Sequence, residues 1–370
     1  MLYRTLGRTG LQVSQLGFGA MRLPMAGEGE KAVVNRELAT PMIHRAMDLG
    51  VTYFDTAVMY CNDDSQKALG EALAGGRREK IILSTKNHYY GENEKDWWTN
   101  LENSLERLQT SYIDIYNHHG INWGSYNDAV LPRLSKWMQK AKDQKLIRHI
   151  CASFHDSPES LIKIIDTDYV DVITLQYNML DRQLEEGMAH AHDRGIGVIV
   201  MGPVGGGRLG ASSEILASLV PNIQRVPELA LRFVLANPSI SVALSGMSTM
   251  QHVEENTAIA SDPIALTHEH YALIEQHLNR LQKMAGLYCT GCNYCKPCPN
   301  KVDIPGVFQR YNMGRVYGLW QQARSDYNWL IGKKESADGC IQCGQCEPKC
   351  PQNLEIRSQL ESAHAALTSK

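Results

Sequence analysis

The segment Val51-Thr52-Tyr53-Phe54-Asp55-Thr56-Ala57-Val58-Met59-Tyr60 decides the fold. It opens with β-branched and aromatic residues, which predict a buried strand that ends at Asp55. Tyr60 follows five residues later, in the loop before a predicted helix, Ser65–Leu73. In parallel α/β proteins the carboxyl ends of the strands, and the loops after them, hold the chemistry. Asp55 and Tyr60 therefore lie where a catalytic pair is expected.

Strand and helix patterns alternate steadily on both sides of this segment. The predicted strands are Leu16–Phe18, Thr52–Asp55, Ile81–Thr85, Ile113–Tyr116, His149–Ala152, Val172–Leu175, Gly197–Val200 and Ile240–Ala243. The predicted helices are Ala39–Leu49, Ser65–Leu73, Lys95–Leu108, Ala129–Gln144, Pro158–Ile165, Gln183–Arg194, Pro227–Ala236 and His252–Ser261. Eight βα units over about 260 residues predict a closed (β/α)8 TIM barrel.

An open, doubly wound sheet is the alternative architecture. No predicted strand is followed by a Gly-x-Gly-x-x-Gly motif that opens a helix, and Pro203 interrupts the glycine-rich run Gly202–Gly207. The closed barrel is therefore favoured. Leu6 to Gly17 predicts a small hairpin that covers the start of the domain, and Met25 to Val34 predicts a surface loop.

Charge and hydropathy exclude several classes of function. The chain has 370 residues, a net charge of -3 and a sequence pI near 6.5, and it contains no basic block that would indicate a nucleic-acid partner. Met1–Leu6 lacks the apolar core of a signal peptide, and no apolar run approaches the roughly 18 residues of a membrane span. We expect a cytoplasmic protein without a membrane partner.

The ten cysteines are unevenly spread, because only Cys61 and Cys151 lie outside the C-terminal region. The other eight form two runs, Cys289-x-x-Cys292-x-x-Cys295-x-x-Cys298-Pro299 and Cys340-x-x-Cys343-x-x-Cys346-x-x-x-Cys350-Pro351. Such clustering in a cytosolic chain indicates metal rather than disulfides. The second run has the bacterial ferredoxin spacing, and the first is one residue short of it. Iron–sulfur clusters are favoured over zinc, which paired Cys-x-x-Cys motifs also bind.

These patterns divide the chain into a barrel over residues 1–284 and a small, mainly helical iron–sulfur domain over residues 285–370. The barrel part ends with a predicted amphipathic helix, His268–Met284. The second domain has few large apolar side chains, so metal ligation is expected to supply much of its stability.

Two more polar residues fall at the ends of the next two predicted strands, namely Lys86 and His119. Reduction of a carbonyl by hydride requires a proton donor at the oxygen. A tyrosine with its ordinary pKa of about 10 is a slow donor near neutral pH, and a nearby lysine lowers that pKa. Asp55 would hold the lysine, and a histidine would donate a hydrogen bond to the substrate oxygen. Each residue alone also fits a capping or surface role, but their joint placement on one rim indicates catalysis.

The chain resembles the aldo-keto reductase family over about residues 2–284. The resemblance is carried by the motifs Leu16-Gly17-Phe18-Gly19, Phe54-Asp55-Thr56-Ala57 with Tyr60, Ser84-Thr85-Lys86, Tyr112-Ile113-Asp114-Ile115-Tyr116-Asn117-His118-His119, Gln176-Tyr177-Asn178 and Glu255-Asn256. It implies a catalytic tetrad of Asp55, Tyr60, Lys86 and His119. His119 is chosen over His118 because it lies three residues after Tyr116, where the family places its histidine.

The resemblance also implies NADP or NAD, bound extended across the barrel mouth. The implied cofactor-binding residues are Gly19, Met21, Asp55, Ser153, Thr174, Met201, Gly202, Pro203, Val204, Gly205, Gly206, Ser248, Thr249, His252 and Asn256. Three positions differ from many members, which have Asn at Phe154, Gln at Thr174 and Tyr at Met201. Residues 245–252 contain no Lys or Arg for a 2′-phosphate, which leaves NAD open beside NADP.

The tail resembles a ferredoxin-type 4Fe-4S domain, which implies two [4Fe-4S] clusters. By the ferredoxin rule, one cluster would be held by Cys289, Cys292, Cys295 and Cys350, and the other by Cys298, Cys340, Cys343 and Cys346. A single cluster also remains open. The short spacing of the first run also leaves the exact pairing open. The clusters would be structural, would sense redox state, or would relay electrons to a ferredoxin or flavoprotein partner.

The function expected from the sequence is an NAD(P)-dependent reduction of small-molecule carbonyls, or oxidation of alcohols. The alternative is a nucleotide-binding redox sensor or electron-transfer protein with little carbonyl turnover.

Overall fold

The computed structural model describes residues 1–210, 212–220, 223, 225–262, 266–286, 289, 293, 295–350 and 353–369. Eight parallel strands form a closed barrel in which each strand pairs with the next along the chain, and the last pairs with the first. They are β1 Leu16–Gly19, β2 Tyr53–Asp55, β3 Ile82–Asn87, β4 Ile113–Ile121, β5 Ile147–Phe154, β6 Val172–Gln176, β7 Gly197–Met201 and β8 Val242–Ser245. The predicted (β/α)8 barrel is confirmed, and the open sheet is excluded.

Helices follow the strands along the chain. The α-helices up to residue 261 are Arg36–Asp48, Ser65–Ala72, Glu94–Arg107, Trp123–Ser125, Ser135–Asp143, Pro158–Asp166, Glu185–Asp193, Glu214–Ala217, Val226–Ala236 and Met250–Ser261. A π-helix spans Tyr126–Leu134, and short 3₁₀ turns lie at Gly7–Thr9, Ala20–Arg22, Gly29–Lys31, Arg78–Lys80 and Gly205–Gly210.

The N-terminal hairpin closes the amino-terminal end of the barrel. A hairpin is present as predicted, but its antiparallel strands are Tyr3–Thr5 and Gln12–Ser14, so it begins and ends earlier than the predicted Leu6 to Gly17. Leu6, in the hairpin, packs so tightly on Gly197, the first residue of β7, that a Cβ there would lie 2.7 Å from the leucine side chain. Inside the barrel, the hairpin meets inward-facing strand residues, and this core consists of Leu6, Val13, Tyr53, Ile115, Cys151, Val172, Ile199, Val242 and Leu244.

Three local differences from the sequence prediction have physical causes. The first helix begins at Arg36 rather than Ala39, because the Asn35 side chain caps it by accepting a hydrogen bond from the Leu38 N–H. The helix predicted over Ala129–Gln144 is π-helical in its first part, where Pro132 lacks the N–H that a regular ladder requires. β4 continues past Tyr116 to Ile121, because it pairs along its length with β3 and β5.

The predicted surface loop, residues 25–34, also contains a minimal two-stranded sheet, Met25–Ala26 with Val33–Val34.

The chain forms two compact units, Met1–Gly205 with Ala230–Ala265, and Gly206–Leu229 with Leu266–Lys370. The boundary at residue 284 stays a prediction. The second unit contains the helices His268–Gly286, Ile304–Tyr317, Trp320–Gly332 and Ile356–Thr368, with short 3₁₀ turns at Ala337–Gly339 and Glu347–Lys349. Its core is built around Tyr327, whose hydroxyl is hydrogen-bonded to His364 and accepts from the Ala337 N–H.

Segment 206–229 belongs to this second unit, where the Ser213 hydroxyl donates to the Tyr317 carbonyl at 2.5 Å. Among the described residues, no helix is both long and apolar enough to cross a membrane.

Candidate active site and iron–sulfur centre

Four polar side chains meet at the carboxyl-terminal mouth of the barrel. Asp55 ends β2, Lys86 lies near the end of β3, and His119 lies near the end of β4, so three adjacent strands each supply one group. Tyr60 comes from the loop after β2. The structure therefore brings together all four residues that the sequence nominates as catalytic.

Lys86 and Asp55 form a buried ion pair. Lys86 Nζ lies 2.5 Å from Asp55 Oδ1 and also donates to the Thr56 carbonyl at 2.9 Å. The lysine is 2% exposed and the aspartate 4%. Burial acts to lower the pKa of Lys86, but the negative charge of Asp55 and the phenol of Tyr60 together hold it above its ordinary value. Lys86 is therefore positively charged at neutral pH.

Tyr60 lies over this ion pair, with Lys86 Nζ 4.8 Å from the centre of the phenol ring. Burial raises the pKa of Tyr60, and the charge of Lys86 acts in the opposite direction without cancelling that effect. The sequence predicts that Lys86 lowers the pKa of Tyr60. It does not reveal the burial of the phenol, which raises that pKa. A tyrosine in this state keeps its proton at neutral pH, which suits a proton donor.

The His119 ring packs edge-on against the Tyr60 ring, with 6.2 Å between centroids. Burial, and then the neighbouring Lys86, His155 and His88, lower the pKa of His119 to about 4. At neutral pH the ring is uncharged and can donate one N–H hydrogen bond. Tyr90 fixes the backbone here, because its hydroxyl donates to the His119 carbonyl at 2.7 Å.

His118 faces away from this group. Side chains alternate along a strand, so neighbours on β4 point to opposite sides of the barrel wall. The Nε2 atom of His118 is 3.2 Å from the Tyr169 hydroxyl, and burial lowers the pKa of the ring to about 3. The ring contacts therefore favour His119 over His118 as the substrate-facing histidine.

The nicotinamide-binding residues nominated by the sequence lie around the same mouth. Ser153 and Thr174 are register partners on β5 and β6, and both are 1% exposed. Gly19 ends β1, and Met201 ends β7. The remaining nominees of this unit are Met21, which is exposed, and the loop residues Gly202, Pro203, Val204 and Gly205, whereas Gly206 begins the second unit.

Gly202 is required by geometry in this loop. It has a φ of +65°, and a Cβ there would lie 2.4 Å from the Gln176 side chain. The Gln176 side chain fills the space that a Cβ on Gly202 would need, so packing within the barrel requires this glycine. Contact of this loop with a dinucleotide stays a prediction.

The residues nominated for the adenosine end lie at or near the start of the helix Met250–Ser261, which follows β8. Thr249 caps this helix by accepting from the His252 N–H at 3.2 Å, and the Ser248 hydroxyl lies 3.4 Å from His252 Nδ1. Asn256 donates to the Ser245 hydroxyl at 3.0 Å. Residues 245–252 contain no Lys or Arg, but the side chain of Arg22 lies against Gly246 in this stretch.

Arg22 comes from the turn after β1, and a Cβ on Gly246 would lie 3.2 Å from its Cδ. The sequence alone does not reveal this contact, because residues 22 and 246 meet only when the barrel closes between β8 and β1.

Two further polar residues in the barrel were also missed. Ser84 and Asn117 face inward beside Asp55, and both are fully buried. The spacing along the strands could have revealed them. Ser84 is two residues before Lys86, and Asn117 is two before His119, so each pair shares a face of its strand.

Thiols from both cysteine runs line one cavity in the second unit. The cysteines around it are Cys295, Cys298, Cys340, Cys343 and Cys346. Cys289 and Cys350 pack against the neighbouring core. Cys295 and Cys298 of the first run both lie beside the three thiols of the second run, and the pairing of the ligands stays a prediction. Cys292 lies outside the described residues.

Among the described residues, no three Cys, His, Asp or Glu side chains are close enough to share a single metal ion. In a cluster each thiolate binds its own iron, so the ligands surround a group rather than one ion. The chemistry of the lining, five thiols drawn from both runs, is that of cluster ligands.

Comparison with known proteins agrees with this geometry. A profile described as the Aldo/keto reductase family matches residues 15–279, and one described as a 4Fe-4S dicluster domain matches residues 288–355. The chain belongs to the aldo/keto reductase family and carries a C-terminal 4Fe-4S dicluster domain. Both resemblances drawn from the sequence are confirmed.

Relatives with known sequences or structures are oxidoreductases of this family. L-galactose dehydrogenase of Arabidopsis thaliana is 31% identical over 286 residues, covering 70% of this chain and 88% of the relative. Aldo-keto reductase AKR11C1 from Bacillus halodurans, solved in its holo form, matches with a TM-score of 0.64 and 28% identity. That match covers 75% of this chain and 96% of the other.

The thermostable aldo-keto reductase Tm1743, solved in complex with the inhibitor epalrestat, gives the same TM-score of 0.64 at 25% identity. That match covers 75% of this chain and all of the other. This chain is an oxidoreductase of the same fold.

Proposed function

We propose that this chain is an NAD(P)-dependent oxidoreductase that reduces carbonyl compounds, or oxidises alcohols, by hydride transfer at the barrel mouth. The observation that carries the proposal is the contact of four groups, in which Tyr60 lies over the buried Lys86–Asp55 pair and His119 packs on its edge. A proton donor, a fixed positive charge and a neutral hydrogen-bond donor are what carbonyl reduction requires.

Each residue has a distinct role in this proposal. Tyr60 gives its proton to the carbonyl oxygen, and the nearby charge of Lys86 stabilises the phenolate that remains. Asp55 holds Lys86 in place and keeps it charged. His119 donates an N–H to the same oxygen and orients the substrate. In alcohol oxidation Tyr60 accepts the proton instead.

NADP or NAD would be held by the residues that the family resemblance nominates. Gly19, Met21 and Asp55 would meet the nicotinamide ribose, and Ser153 and Thr174 the carboxamide. Met201 takes the position where many members stack a Tyr on the nicotinamide, and the loop from Gly202 to Gly206 would pass the pyrophosphate. The adenosine end would meet Ser248, Thr249, His252 and Asn256. When bound, this cofactor supplies the hydride.

Arg22 lies against Gly246, beside residues 245–252, which contain no Lys or Arg, so NADP is to be tested alongside NAD. The plant relative is named L-galactose dehydrogenase, so aldoses are worth testing as substrates of alcohol oxidation.

For the tail we propose two [4Fe-4S] clusters with the ligand sets that the ferredoxin rule implies. A cluster exchanges one electron, whereas a nicotinamide exchanges two as a hydride. Electron relay from the clusters would therefore serve a separate ferredoxin or flavoprotein partner.

The test replaces Tyr60 by Phe, with Tyr112→Phe as the matched control. Tyr112 stacks between the guanidinium groups of Arg78 and Arg148, a contact that phenylalanine keeps. With NADPH or NADH and a panel of aldehydes, we expect Tyr60→Phe to lose about 10²–10⁴-fold in kcat while binding of the nucleotide persists. The control should keep its activity.

Unchanged turnover in Tyr60→Phe would refute the assignment. Nucleotide binding without carbonyl turnover in the unmodified protein would instead favour the redox-sensor alternative.

A further inference from the structure

A chain of buried hydrogen bonds runs beneath the ion pair at the barrel mouth. The Ser84 hydroxyl donates to Asp55 Oδ2 at 2.8 Å, and the Asn117 side-chain amide donates to Ser84 Oγ at 3.0 Å. Ser84 and Asn117 are both 0% exposed. The interior of such a barrel is usually filled by bulky apolar side chains, so a hydroxyl and an amide at these inward positions are a departure.

The direction of each hydrogen bond is fixed by its neighbours. Asn117 Nδ2 donates both to Ser84 Oγ and to the Thr85 carbonyl at 3.0 Å, and a carbonyl can only accept. The amide nitrogen, rather than the amide oxygen, must therefore face Ser84. Because Ser84 Oγ accepts this hydrogen bond, and a hydroxyl has a single proton, that proton is directed to Asp55.

The two oxygens of Asp55 are thereby assigned different partners. Oδ2 is held by Ser84, and Oδ1 lies 2.5 Å from Lys86 Nζ. A carboxylate fixed at both oxygens cannot rotate, so Lys86 is aimed between Asp55, the Thr56 carbonyl and the Tyr60 ring. The position of the lysine charge under the phenol therefore depends on a residue that touches neither of them.

We propose that Ser84 and Asn117 are positioning residues that hold Asp55, and through it the Lys86 charge, in register with Tyr60. This inference rests on the proposed role of Tyr60 as the acid/base. β3 supplies Lys86 to the site and β4 supplies His119. On each strand the positioning residue lies two places earlier, on the same inward face. Loss of the chain would let Lys86 move away from the phenol, so Tyr60 would hold its proton to a higher pH.

The decisive variants are Ser84→Ala, which breaks the contact with Asp55, and Asn117→Leu, which releases Ser84 without touching Asp55. Thr85→Val is the matched control, because it removes a buried hydroxyl from the same strand. That hydroxyl accepts a hydrogen bond from Gln66 on the other face of the strand. Ser84→Thr keeps a hydroxyl and should restore the behaviour of the unmodified protein.

The first readout is the ionisation of Tyr60, measured as the ultraviolet difference spectrum between each protein and its Tyr60→Phe counterpart during a pH titration. We expect the midpoint to rise by about one pH unit in Ser84→Ala, and by less in Asn117→Leu. The second readout is alcohol oxidation, whose rising pH limb should move by the same amount, with kcat lowered about tenfold below the midpoint and KM unchanged.

The control Thr85→Val should show neither shift. If Ser84→Ala and Thr85→Val lose thermal stability alike but leave the midpoint in place, the chain is only structural and the proposal fails. If Ser84→Ala does not fold, Asn117→Leu decides by the same midpoint. A shifted midpoint in a protein that turns over no carbonyl or alcohol would uphold the positioning chain and refute the proposed function.

Discussion

The barrel and the tail each gather reactive groups, but they complete them in different ways. In the barrel, Lys86 finds both its partners, Asp55 and the Thr56 carbonyl, within the protein. In the tail, thiols from two distant runs surround a cavity, and one of them, Cys343, is exposed. The comparison teaches that the barrel site is organised by folding alone, whereas the tail is organised around a group that it must bind.

The largest expected effect follows from removing that group. Chelation of iron, or the variant Cys340→Ser, should remove most of the tail's free energy of unfolding and leave the barrel folded. Hydrogen exchange read by mass spectrometry would show rapid exchange over residues 304–332 with unchanged protection of the barrel strands. Cys61→Ser, in the barrel unit, should keep its iron and its protection. If the tail kept its full protection from hydrogen exchange without iron, its folding would not depend on a bound group, and it would not differ from the barrel in this respect.

A smaller effect is expected from breaking the ion pair within the barrel. Asp55→Asn leaves Lys86 buried without its counter-charge, which should cost about 3–5 kcal/mol in the free energy of unfolding. The matched control is Glu94→Gln, which breaks the exposed pair with Lys140 and should leave the urea midpoint of the barrel unchanged. Equal midpoints for both variants would show that the buried pair is not held as described.

The smallest effect is a displacement of pH profiles. Carbonyl reduction needs Tyr60 protonated, and burial raises the pKa of this phenol, so kcat/KM should stay level through neutral pH and fall only above the raised pKa. Alcohol oxidation needs the deprotonated form and should rise over the same range. Lys86→Met removes the opposing charge and should move both limbs to higher pH. A reduction limb falling near pH 7 would contradict this description of Tyr60.

Much of the barrel could be predicted because its sequence is locally consistent. The βα alternation gave the strand order, and strand ends located Asp55, Lys86 and His119 on one rim. The boundaries that shifted depended on contacts distant in sequence. β4 reaches Ile121 only because β5 pairs with it, and the sequence His118-His119-Gly120 alone resembles the start of a loop.

The rest of the site depended on register between strands. Ser84 and Asn117 both lie within motifs of the sequence. Their contact, however, depends on the register in which Lys86 pairs with Asn117 across β3 and β4. Arg22 reaches Gly246 only through closure of the barrel. Likewise, spacing identified the cysteine runs, but the shared cavity of Cys298 and the second run is a tertiary fact.

The most direct test of the central claim is the fate of one hydrogen atom. Protein purified without oxygen would be mixed with an aldehyde and NADPH or NADH that carries deuterium at the transferable position, and the alcohol would be analysed by mass spectrometry. Hydride transfer at the barrel mouth predicts one deuterium on the former carbonyl carbon. Alcohol without deuterium would mean that electrons reach the substrate another way, and would contradict the account.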